Sequence, residues 1–212
     1  MEDKNMEENK YLALAREARK NHNKEMAGVY YNKAKEEMSN NGEVEFFSAY
    51  YDILKSEKGQ AYKKYMTFTE TIEKSIRYVA LSDYSDQEKK EILQDMAFAT
   101  KLMPTLIYNL YDGSEQTTNG NSKSIAMLYG FGLDVETYFC ENKSIMSVAV
   151  SMWNAGIELQ YKWAAVPFEK EAPAEYGAKI HQYDPAFQLP KENKIRSFLL
   201  RVFGFLVSFQ QK

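Results

Sequence analysis

An all-α protein is predicted by three features of this 212-residue chain. Apolar residues recur at steps of three and four over most of its length. Clusters of Asn, Ser, Asp and Gly punctuate that pattern at 21–23, 39–42, 82–85 and 112–121. No segment alternates with period two over a useful span, so almost no sheet is expected. The pattern resolves into antiparallel helical hairpins, a bundle of longer helices and a C-terminal amphipathic helix.

The first hairpin pairs residues 7–20 with 24–38. Tyr11, Leu14 and Ala15 share a face of its first helix, and Ala27, Tyr31 and Ala34 share a face of its second. Small residues at Ala15 and Ala27 let the backbones approach while the two rings fill the space around them. A third helix is read over 43–55 with Phe46, Phe47, Tyr50 and Tyr51, and a fourth over 60–81 with Tyr65, Phe68, Ile72 and Ile76 in a stripe. Ser85 followed by Glu88 has the spacing of a capping box for the next helix, 86–111. Pro104 should kink or split that helix. Residues 112–121 are polar with two glycines and read as a loop; helices over 122–141 and 143–166 follow.

Four of the five prolines lie in 167–191, which reads as a strap or linker without helix. Residues 195–209 then place Ile195, Phe198, Leu199, Val202, Leu206 and Phe209 on one face. That helix docks on the preceding bundle, covers a partner or a second copy, or lies in a membrane interface. The expected organisation is hairpins over 1–81, a long-helix bundle over 82–166, the strap over 167–191 and the amphipathic helix over 192–212.

The spacing of Tyr11, Leu14, Ala15, Ala27, Tyr31 and Ala34 resembles a tetratricopeptide (TPR) repeat. Ser39 replaces the proline usual after its second helix, and Ala18 an aromatic late in its first. Ala49, Ala61 and Tyr65 echo Ala15, Ala27 and Tyr31 one repeat later, with Glu45 and Phe68 departing from the pattern. Residues 178–185 are similar to a segment of uncharacterised repeat proteins of Gram-positive bacteria. The tetratricopeptide resemblance implies a non-enzymatic scaffold that binds a peptide or partner protein in the groove of its first helices. The matching groove positions are Asn9, Leu12, Arg16, Arg19 and Lys20, then Glu43, Phe46, Tyr50 and Ile53. Leu12, Arg16, Arg19, Lys20, Phe46 and Tyr50 form the expected partner-binding set. Its three basic residues suit an acidic partner, because guanidinium groups bind carboxylates through paired charge-assisted bonds. On Phe46 and Tyr50 the apolar pattern favours core over groove.

Chemistry is sparse. A net charge of −3 disfavours nucleic-acid binding. The lone Cys140, expected at a core or boundary position, permits no internal disulfide or cysteine zinc site. His22 falls in the first interhelical turn and His181 in the strap, neither with metal-ligand spacing. Gly130-Phe131-Gly132 lacks a preceding strand and a third glycine, so close helix packing or a local kink explains it better than a phosphate loop, with Gly156 as the facing approach. Carboxylate pairs at 7–8, 36–37 and 134/136 read as solvated charge. No enzyme activity, cofactor or metal is expected. Residues 1–10 have no apolar core and no apolar run of about eighteen residues occurs, so a soluble cytoplasmic protein is expected, with a membrane surface reachable only through the last helix.

Overall fold

A computed structural model describes residues 9–110, 115–163 and 169–190, and of residues 107–110 and 115–119 the backbone alone. Among the described residues every regular element is an α-helix and there is no strand. The helices are α1 (Lys10–Lys20), α2 (Lys24–Glu37), α3 (Gly42–Lys55), α4 (Lys58–Leu81), α5 (Asp86–Leu110), α6 (Glu115–Phe139), α7 (Lys143–Lys162) and α8 (Ala172–Tyr183). The chain forms two compact units, Met1–Ala99 and Thr100–Lys212, and the boundary falls within α5.

In the first unit α1 packs on α2, α2 on α3 and α3 on α4. Asparagines start three of these helices. The Asn9 side chain accepts from the backbone N–H groups of Tyr11 and Leu12, Asn23 from Met26 and Asn41 from Val44. Each removes a donor that the first helical turn would otherwise leave unpaired. His22 and Asn40 take the left-handed conformation, φ 57° and 62°, in the turns after α1 and α2. Ser85 and Glu88 form the capping box of α5: the Ser85 N–H donates to Glu88 Oε2 at 2.8 Å and the Glu88 N–H to Ser85 Oγ at 3.3 Å.

The core of this unit is aromatic. Tyr31 stacks on Phe47 at 5.1 Å, Phe47 meets Phe46 edge-on at 5.0 Å, and Phe46 lies 5.2 Å from Phe68. The buried face of α1 is Leu12, Ala15 and Ala18, whereas Tyr11 and Leu14 are only half-buried. Gly42 sits where an added Cβ would lie 2.3 Å from the Ser75 carbonyl oxygen, so α3 and α4 touch backbone to backbone.

In the second unit α6 packs on α7 and α7 on α8. Trp153, fully buried, covers Gly132, where a Cβ would come within 2.3 Å of the indole Nε1; Tyr129 covers Gly156 in the same way at 2.7 Å. Gly132 and Gly156 are thus the close-packing sites, while Gly130 faces open space.

Several expectations are corrected. Residues 115–121 are helical, because the interior Gly120 costs only about 1 kcal/mol in a helix whose later turns are well buried. The proline-rich stretch contains α8. Pro173 stands in its first turn, where a missing N–H costs nothing, and Pro185 follows its end. Pro104 does not split α5, which runs on as one helix past the buried Met103. Cys140, just past α6, is exposed. The expected helix over 195–209 lies outside the described residues, and no described helix is long and apolar enough to cross a membrane.

Candidate functional site

Charge gathers at one place inside the first unit. Glu43, in the first turn of α3, is fully buried. A lone carboxylate there would be costly, and three side chains offset that cost. From α1, Arg16 donates through Nε to Oε1 and Oε2 at 3.2 and 3.0 Å, and through Nη2 to Oε2 at 2.7 Å. From α2, the Tyr31 hydroxyl donates to Oε1 at 2.9 Å. Arg19, one turn beyond Arg16, brings Nη2 to 3.7 Å from Oε1.

Arg19 also reaches α5, where its Nη2 meets Asp95 Oδ2 at 2.5 Å. Its guanidinium lies over the Phe47 ring, 4.2 Å from the centroid, a geometry that stabilises a cation. The Arg19 Nη1 is shielded from solvent and has no hydrogen-bond partner among the described residues. Asp95 differs from Glu43 because its side chain is about half exposed. Burial raises the Asp95 carboxyl above its ordinary range, outweighing the opposing pull of Arg19. Burial likewise pushes the Tyr31 hydroxyl well up, with further upward contributions from Glu43. Tyr31 is therefore held as a neutral donor.

The expected partner-binding residues fall in three settings. Leu12, Phe46 and Tyr50 are core, at 2, 0 and 7% exposure. Arg16 and Arg19 meet around Glu43 on the side of the core facing α5, partly exposed at 34 and 21%. Lys20 is exposed. Glu43, a groove position in the repeat pattern, is the hub of this network, and Asp95 joins it from α5 with no sequence motif to mark it. No spacing rule singles out Glu43, because Arg16 lies 27 positions before it on a different helix.

Other candidates do not assemble. His22 and His181 are exposed, and among the described residues no cluster of three His, Cys, Asp or Glu side chains could hold a metal ion. No protein family, curated protein or solved structure matches this chain.

Proposed function

We propose that the first unit is a non-enzymatic protein-interaction module, TPR-like in kind, whose α1/α3/α5 face captures an acidic segment of a partner protein. The observation that supports this reading is the Arg19 clip. A cation stacked on Phe47 holds a half-exposed carboxylate from another helix and keeps one nitrogen unspent. An incoming carboxylate takes the place of Asp95 on Nη2, with Lys20 as an exposed cation one residue along. Burial makes the ionised Asp95 costly to keep, which favours the exchange. Arg16 stays on Glu43, where its bonds hold α1 to α3.

The test is fluorescence anisotropy of a labelled hexaglutamate peptide titrated with the full chain at low salt. Asp95→Asn should tighten binding and Arg19→Gln should weaken it, both with unchanged helicity, and added salt should weaken both. Equal affinity for the wild type and both variants refutes the reading.

A further inference from the structure

The second unit carries a cleft of about 260 Å³ where α7 begins and α8 ends. Lys143 and Ser147 come from the first turns of α7, Val150 from the next, and Gln182 and Tyr183 from the last turn of α8. The volume lies below the roughly 300–1,000 Å³ of pockets built for drug-sized ligands, so a smaller molecule fits.

The lining has one charge sign and a divided surface. Among the described residues the Lys143 ammonium, the Gln182 amide and the Tyr183 hydroxyl have no hydrogen-bond or ion-pair partner, so their donors are available to a ligand. The Ser147 hydroxyl donates to the Ser144 carbonyl at 2.7 Å and offers only its lone pairs. Asp184, the nearest acid along α8, accepts from the Ala186 N–H at 3.0 Å. Lys143 opens α7, so the positive end of the helix dipole adds to its charge. Val150 and the Tyr183 ring, both half-buried, supply an apolar wall.

We propose that this cleft binds a small organic carboxylate, with the acid group on Lys143 and Gln182 and a compact apolar body against Val150 and Tyr183. The site belongs to the second unit and is independent of the Arg19 clip.

The test uses the full chain, isotopically labelled, and follows backbone amide shifts of residues 143–150 and 180–184 with three probes. Benzoate has both charge and body, benzamide has the body alone, and inorganic phosphate has the charge alone. Benzoate should give saturable shifts confined to those two segments, with benzamide and phosphate each about tenfold weaker. Lys143→Gln, at an exposed position, should lower benzoate affinity by a similar factor, and Tyr183→Ala should lower it without bringing phosphate binding up. Absence of saturable shifts with benzoate overturns the proposal. So does an unchanged response in Lys143→Gln, or benzamide or phosphate binding as tightly as benzoate.

Discussion

Replacing Glu43 with alanine should destabilise the first unit by about 3–5 kcal/mol, the range for stripping one partner from a buried ion pair. The structure supports that range. Tyr31 is fully buried, and its hydroxyl would be left without an acceptor, at about 1–3 kcal/mol. Arg16 would lose a forked charge-assisted contact, itself worth about 1.5–3 kcal/mol. Because Arg16 is one-third exposed, water recovers part of that loss. Against a whole stability of about 5–15 kcal/mol, the change is large. With a urea dependence near 2 kcal/mol per molar, the midpoint should fall by roughly 2 M. Both tryptophans lie in the second unit, so amide hydrogen exchange over α1, α2 and α3 is the suitable probe. Glu43→Gln, which keeps an acceptor for Tyr31, should cost less. The triple change Glu43→Leu, Arg16→Met and Tyr31→Phe should recover much of the loss, since no buried polar group is then stranded. A loss below about 1 kcal/mol for Glu43→Ala would show that the network contributes little and would refute the reasoning.

The first unit should also weaken in alkali. Burial raises Tyr50 to about 12 and raises Tyr31 and Tyr51, so the folded state holds these protons more tightly than the unfolded chain. The stabilisation is complete below about pH 10 and is lost as pH climbs above it, at about 1.4 kcal/mol per pH unit for each such group, and urea midpoints between pH 9 and 11 should show a shallower slope in Tyr50→Phe. Asp95→Asn should leave stability within about 0.5 kcal/mol in thermal melts, because burial already opposes the ionised form. Gly132→Ala should cost about 1–3 kcal/mol or more and shift the Trp153 emission, since its methyl group would collide with the indole. His22→Gly should be neutral or stabilising by up to about 1 kcal/mol in urea unfolding, by relieving a side chain at φ 57°.

The helices were legible because burial here follows the three-and-four rhythm of apolar side chains. Phe68, Ile72 and Ile76 were read as a stripe and are fully buried. Helix α8 is hidden by its prolines, which read as breakers, while Pro173 occupies the one turn that tolerates it. The start of α6 is masked by its local glycine and polar content, whereas the packing of later turns decides whether a helix extends. Leu12 shows the limit of a face assignment: rotating α1 by a fraction of a turn moves it from groove to core. The charged hub was least readable. Arg19 and Asp95 are 76 positions apart, and no spacing rule links them. Glu43 looks in sequence like any solvated acid at a helix start, and only the fold shows that Tyr31 and Arg16 converge on it.

The two glycine notches between α6 and α7 have a mechanical consequence. Tyr129 and Gly132 stand three residues apart on one helix, and Trp153 and Gly156 three apart on the other, so each ring fills the other helix's gap. The arrangement works like a key with two teeth cut at one spacing. Sliding either rod by a single turn would drive both teeth into solid side chains at once. This pair therefore resists axial shear unless the two helices first move apart.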